Sequence, residues 1–176
     1  MYPLIRMTKE FWVHRNAPPL GILDTHVSHH ICWPWDLDIW LELNNGRSLT
    51  LYDLGRIPLA RRTGLVAALR ANRWGLTMAG ASVRWRRRTR VFERFEMRSR
   101  CVGWDHRFMY IEQTMWGGSE AKSSVVYRAA VTGPGGIVPT ATVIAALPRP
   151  AAAPVLPAYV RAWIAADAER PWPPPR

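Results

Sequence analysis

Along much of the second half of the chain, apolar and polar residues alternate with a period of two. Ala81, Val83 and Trp85 interleave with Ser82, Arg84 and Arg86, and Phe95, Met97 and Ser99 interleave with Arg94, Glu96, Arg98 and Arg100. Successive strand side chains point to opposite faces, so this alternation predicts antiparallel strands with one buried face. Residues 108–116 predict a third such strand, stopped by Gly117 and Gly118. Residues 122–131 predict a fourth, stopped by Gly133, Pro134, Gly135 and Gly136.

The first half reads differently. Residues 27–33 predict a short apolar strand ended by Pro34, which cannot donate to a ladder. After an acidic, Trp-rich stretch and the run Asn44, Asn45 and Gly46, apolar residues recur at Leu49, Tyr52, Ile57 and Leu59, flanked by Leu51 and Leu54. That is helical spacing with an Asn cap in front. Pro58 is expected to kink or end this helix, with a second helical piece over residues 61–73. Residues 140–146 predict a short helical turn and residues 157–168 a helix with Pro at its start, before a loose Pro-rich tail over residues 171–176. Residues 1–23 are expected to be an approach segment, with Pro18 and Pro19 ruling out regular helix.

A strand, a long helix and a run of antiparallel strands, without internal repeat, predict an α+β fold in which one helix covers the apolar face of a sheet of about five strands. Gly55 in mid-helix costs about 1 kcal/mol relative to Ala. A helix backbone lying close against the sheet would explain it; a merely tolerated glycine is the alternative.

At 176 residues, 48% of them apolar, the chain has the size and composition of one folded domain with a core. The expected division is a core over residues 24–131, the approach segment 1–23, and a C-terminal helix with the tail over residues 150–176. No apolar run is long enough for a membrane span, and Arg6, Lys9 and Glu10 interrupt the opening apolar residues, so a cytoplasmic location is expected. Cys32 and Cys101 lack disulfide or zinc spacing and are expected as reduced thiols in the sheet. His29 and His30 read as polar strand residues, and the pair Asp36 and Asp38 has no further ligand cluster, so neither a metal nor a cofactor is expected. Against 13 acidic residues stand 24 Lys and Arg, a net charge of +11. That excess fits an anionic partner or a solvating face.

The stretch Trp33-Pro-Trp-Asp-Leu-Asp-Ile-Trp-Leu-Glu-Leu-Asn-Asn-Gly-Arg-Ser48 resembles the D-x-D-x-x-x-H-x-N-N segment of hot-dog thioesterases related to 4-hydroxybenzoyl-CoA thioesterase. The helix with Asp53, Gly55 and Arg56, and the later runs over residues 79–88 and 103–113, resemble the acyl-CoA thioesterase-like branch of that group. The resemblance implies a hot-dog fold, an antiparallel sheet wrapped around one long central helix, with a short C-terminal helix beyond it. It also implies a homodimer or dimer of dimers with the acyl pocket between subunits, and hydrolysis of acyl-CoA to free acid and coenzyme A. Asp38 falls at the family's catalytic carboxylate, and the backbone N–H of Asn45 at the group that polarises the thioester carbonyl.

Chemistry agrees with that division. Free N–H groups at a helix N-terminus favour the negative charge that develops on a carbonyl oxygen under attack. A nearby carboxylate can activate water as general base or attack the carbonyl itself. Trp35 and Trp40 flank Asp38, as an apolar wall that tunes it or as packing aromatics. Asp36 is expected to hold the loop through backbone N–H groups. Asn44 is read as helix cap and secondary substrate contact; Gly46, Trp40 and Asp53 complete the candidate substrate-binding set, Asp53 being alternatively an ion-paired residue.

Two positions depart from the family pattern: its His is Glu42 here, and a later aromatic is Ser48. Glu42 either faces Asp38, making a coupled pair of acids, or points outward. Arg84, Arg86, Arg88 and Arg90 are expected on one strand face, available to coenzyme A phosphates or to solvent. Two other classes remain: a non-catalytic hot-dog protein that binds acyl groups, and a nucleic-acid binder using Trp and Arg faces, which lacks a recognisable motif.

Overall fold

The computed structural model describes residues 2–174. The alternating segments form β2 (Gly75–Trp85), β3 (Arg94–Trp104), β4 (Met109–Gly117) and β5 (Glu120–Gly133), and the early strand is β1 (His26–Ile31). They make one antiparallel sheet in the order β1-β3-β4-β5-β2, with the short β6 (Gly136–Ile137) added on β5. Register shifts at Met78/Gly80, Cys101/Gly103 and Met115/Trp116 curl it. Helix α2 (Asn45–Arg62) lies in the hollow, burying Leu51, Tyr52, Leu54 and Leu59 against Phe95, Met97, Ile111 and Met115. This is the expected hot-dog arrangement. Helices α3 (Leu65–Asn72), α4 (Thr140–Ala145) and α5 (Ala158–Ala168) follow the expected order, with Leu65 and Val143 in a second apolar cluster beside Trp104 and Met109. The predicted tail is described to residue 174; Pro175 and Arg176 lie outside the described residues.

Several expectations are corrected. The approach segment contains a helix, α1 (Leu4–Val13). The prolines at 18 and 19 lie beyond its end, and the charged residues that break the apolar run include its buried Glu10. Pro58 does not end α2, which continues to Arg62; the break comes at Gly64, in the left-handed region at φ 82°. An interior proline costs a helix about 3 kcal/mol, but Leu54, Pro58 and Leu59 are all buried, and burial of this face against the sheet outweighs it. In β1 the buried face is the polar one: His26, Ser28 and His30 point inward while Val27 and His29 point out. Burial lowers the His26 and His30 pKa values to about 3, so both rings are neutral. His26 meets Arg62 at 2.9 Å, and His30 meets Ser28 at 2.8 Å. Cys32 and Cys101 are buried free thiols, each pushed up to about 11 by burial.

Gly55 is required rather than tolerated. A Cβ there would stand 2.4 Å from Ser99 Oγ and 2.7 Å from Met97 Sδ. At this approach the Gln113 amide donates to the Tyr52 carbonyl at 2.8 Å and to Ser99 Oγ at 2.7 Å, linking helix to sheet.

The start of α2 is held by Asp36, which is fully buried. Its Oδ2 accepts from Arg6 at 2.6 Å and from the Trp33 N–H at 3.0 Å, its Oδ1 accepts from Arg47 Nε at 2.7 Å, and its backbone carbonyl accepts from the Asn44 N–H at 2.9 Å. One carboxylate therefore joins α1, the 3-10 turn at Pro34–Asp36 and the first turn of α2.

Two stability outcomes follow, both read by denaturant unfolding. Asp36→Ala leaves two largely buried guanidinium groups without their anion and should lower stability by about 3 kcal/mol or more. Gly55→Ala should destabilise by about 1–2 kcal/mol although Ala is the better helix former, because overpacking outweighs propensity.

Candidate functional site

The Asn44 side chain accepts from the Arg47 N–H at 2.9 Å, capping α2 as the sequence predicts. Among the described residues, the backbone N–H groups of Asn45 and Gly46 have no acceptor. They begin an 18-residue helix, whose dipole adds positive potential at this end. Beside them opens a cleft of about 250 Å³ lined by Glu42, Asn45, Trp85, Arg86, Arg87 and Arg88, with Ser123 also in its wall. Ser48, where the family pattern has an aromatic, ties the helix to the end of β2: its hydroxyl donates to the Asn45 carbonyl at 2.6 Å and accepts from Trp85 Nε1 at 3.0 Å. From within the core the Tyr52 hydroxyl meets Ser123 Oγ at 2.9 Å, and burial raises its pKa, keeping it protonated.

Asp38 is half-buried on the turn that leads to this cleft and is not among the cleft-lining residues. Its N–H donates to the Glu42 carbonyl at 2.9 Å, and its Oδ1 accepts from the Trp40 N–H at 2.8 Å and more weakly from the Glu42 N–H at 3.5 Å. Among the described residues Oδ2 has no partner. The side chain is thus oriented through one oxygen while the other stays bare.

Glu42 does not face Asp38. It lines the cleft with Oε2 at 2.7 Å from Arg88 Nε, a charge contact too far out of line to be a hydrogen bond. The coupled pair of acids is therefore not formed. Trp35 and Trp40 do not wall in Asp38 either, being 68% and 73% exposed. Asp53 is ion-paired with Arg56, whose guanidinium lies 4.1 Å from the Tyr127 ring centre, and it lies outside the cleft. Tyr2 also leans on Asp53, its pKa pushed up to about 12 by burial and by that carboxylate. The Arg series does not share a strand face, because β2 ends at Trp85. Arg86 and Arg87 donate their backbone N–H groups to the Lys122 carbonyl at 2.9 and 3.0 Å, a turn that gathers them over the cleft.

Of the predicted residues, Asn45 and Glu42 line the cleft and Asn44 and Gly46 sit at its helix start, while Asp38 and Trp40 lie on the adjoining turn and Asp53 elsewhere. Sequence reasoning missed Trp85, Arg87 and Ser123, which come to the helix start from the end of β2, the turn after it and β5. Only Ser48 carried a signal, as a departure from the family pattern. Among the described residues, no group of three or more His, Cys, Asp or Glu could hold a metal ion.

The sequence profile of the thioesterase-like superfamily matches residues 32–163. Protein THEM6 of Xenopus laevis is 37% identical over 92 residues, covering 52% of this chain and 44% of that protein. The chain thus spans about half the length of such relatives. Among solved structures, a 1,4-dihydroxy-2-naphthoyl-CoA thioesterase from Synechocystis superposes with a TM-score of 0.59 at 9% identity, covering 68% of this chain and 92% of that one. A Streptococcus mutans protein bound to acetyl CoA superposes with a TM-score of 0.53 at 13% identity, over 65% and 86% of the two chains. At such identities the superpositions show the hot-dog fold alone; the profile match covers most of the chain, which belongs to the thioesterase-like superfamily.

Proposed function

We propose that the protein hydrolyses an acyl-CoA thioester to a free carboxylic acid and coenzyme A at the start of α2. The observation that carries the reading is the pair of unpartnered N–H groups at Asn45 and Gly46 beside an arginine-lined cleft. In this reading the thioester oxygen is directed at the Asn45 N–H, and charge developing on it is stabilised by that group and the helix dipole. Asp38 Oδ2 takes a proton from water as the oxygen adds to the carbonyl carbon, and the tetrahedral adduct then collapses with cleavage of the C–S bond, the leaving thiolate taking the proton back from Asp38 and leaving as the thiol. Direct attack by the carboxylate, with hydrolysis of the resulting anhydride, is the other route. Arg86, which has no acidic partner among the described residues, suits the phosphates of coenzyme A, while the Arg87 guanidinium is engaged by Glu120 at 2.8 Å. The Synechocystis relative is named for acting on a CoA thioester, which agrees with this substrate class.

A homodimer fits the same reading. Among the described residues β2 lies at the sheet edge, paired on one side with β5, which leaves its other side open to edge-to-edge pairing with a second copy. A non-catalytic acyl-binding protein is the second reading, favoured by the neutralisation of Glu42 by Arg88.

Asp38→Asn tests the choice cleanly, because the amide oxygen can still accept the Trp40 N–H while the basic group is gone. The expected loss is about 10²–10⁴-fold in kcat with an unchanged Tm, measured by thiol release from a panel of acyl-CoA esters. Glu42→Gln should change kcat less than about tenfold. Equal rates in wild type and Asp38→Asn would remove Asp38 from the mechanism, and silence across the panel would favour the binding-only protein. Arg86→Ala should raise KM about tenfold for acyl-CoA but not for the matching acyl-pantetheine, which lacks the nucleotide phosphates.

A further inference from the structure

The turn that carries Asp38 also carries Ile39, Trp40 and Leu41 at its tip, exposed by 86%, 73% and 73%. The tip is rigidly built. Leu37 bridges to Leu43 at its base, the Asp38 N–H meets the Glu42 carbonyl at 2.9 Å, and the Leu41 N–H meets the Asp38 carbonyl at 3.1 Å. Leu41 is held at φ 58°, a left-handed conformation uncommon for a non-glycine residue.

A second turn of the same character lies beside it. Glu42 forms an antiparallel bridge with Arg90, and the Leu43 N–H reaches the Thr89 carbonyl at 2.9 Å. That register sets Leu41 next to Val91, with Phe92 following. Phe92 is again left-handed, at φ 60°, and is 60% exposed. Its ring meets Trp33 edge-on at 6.1 Å, and Trp33 stacks on the exposed Trp35 at 5.3 Å. The result is one apolar patch in which ordered backbone presents large side chains to water. Large exposed apolar patches mark interaction surfaces.

The charge around the patch selects its counterpart. Arg86, Arg88, Arg90 and Arg94 are exposed around these turns, and among the described residues Arg86, Arg90 and Arg94 have no acidic partner. A second copy laid face to face would bring two arginine rims together in a chain already at +11. An anionic bilayer satisfies both features, because apolar side chains enter the boundary of headgroups and acyl chains while arginines meet phosphates.

We propose that this face docks on the surface of an anionic phospholipid membrane, with Ile39, Trp40, Leu41 and Phe92 entering the interface. The proposal goes beyond thioester hydrolysis and does not need it. The two meet in space, because Glu42, Leu43, Arg88 and Thr89 belong to these turns and also line the cleft. Docking would bring the mouth of the cleft to the lipid surface, where amphiphilic long-chain thioesters collect.

The test is co-sedimentation of the full chain with vesicles of phosphatidylcholine alone, and of phosphatidylcholine mixed with an equal part of phosphatidylglycerol. The wild type is expected to sediment with the mixed vesicles and not with the neutral ones. Leu41→Asn combined with Phe92→Asn should weaken that binding at least about tenfold. Asn tolerates the left-handed region, so the turns keep their shape, which far-UV circular dichroism checks. Arg90→Glu with Arg94→Glu should weaken binding about fivefold or more for each charge changed, and added salt should act in the same direction. Absence of the wild type from the mixed-vesicle pellet, or wild-type binding by the double Asn variant, overturns the proposal. So does an oligomer that the double Asn variant splits in gel filtration without any vesicle binding, which would assign the face to a second copy of the chain. Sedimentation does not read thioester cleavage, so these outcomes stand whatever becomes of Asp38.

Discussion

A buried carboxylate must find its counter-charges inside the protein, because desolvation costs far more than an isolated anion can recover. Asp36 finds them on two helices, Arg6 of α1 and Arg47 of α2, and adds the N–H of Trp33 between them. None of these groups can move far without stranding the charge. The constraint therefore sets where α1 lies, how the chain turns after β1, and where α2 begins. Since Asn45 is the first residue of α2, the position of the free N–H groups beside the cleft follows from the satisfaction of Asp36.

The other end of the constraint is the sheet. Gly55 lets the α2 backbone approach Ser99 and Met97 closely, and Gln113 fixes that approach through the Tyr52 carbonyl. A helix pinned at its first turn by Asp36 and at mid-length by Gln113 has little freedom to slide along its axis. The end of β2 then meets the helix start through Trp85 and Ser48, with Ser123 of β5 close by through Tyr52. An aromatic at position 48 would have no hydroxyl on its Cβ to join the Asn45 carbonyl to Trp85. The buried Ser48 thus acts as a hydrogen-bonded strut between the helix start and the end of β2.

Much of this fold was legible because its signals are periodic. Alternation in residues 81–86 and 94–100 announced β2 and β3, and the apolar spacing after Asn44 announced α2 and its cap. What escaped was set by tertiary partners. Helix α1 has short apolar periodicity and exposes Leu4, Ile5 and Trp12, so its place depends on Arg6 reaching a residue thirty positions away. The inward polar face of β1 makes sense only with Arg62 and Glu10 packed against it. Local propensity marks Pro58 as a stop, and only the sheet that buries it keeps α2 running through it. At the site, the cap and helix start were readable, but the partner of Glu42 was not, since Arg88 arrives from a turn beyond β2.

That partner matters for how the site divides its charges. A carboxylate beside a positive helix end and several arginines is drawn into an ion pair unless the backbone holds it elsewhere, and Glu42 has been so drawn. Asp38 escapes because the N–H groups of its own turn engage one oxygen and leave the second bare. The same turn that keeps Asp38 from the arginines pushes Ile39, Trp40 and Leu41 outward, since a chain reversal this tight leaves its tip residues no interior to enter. Preserving an unpaired carboxylate and exposing an apolar tip are thus two consequences of one backbone conformation, and Leu41 in the left-handed region is the residue that makes the reversal possible.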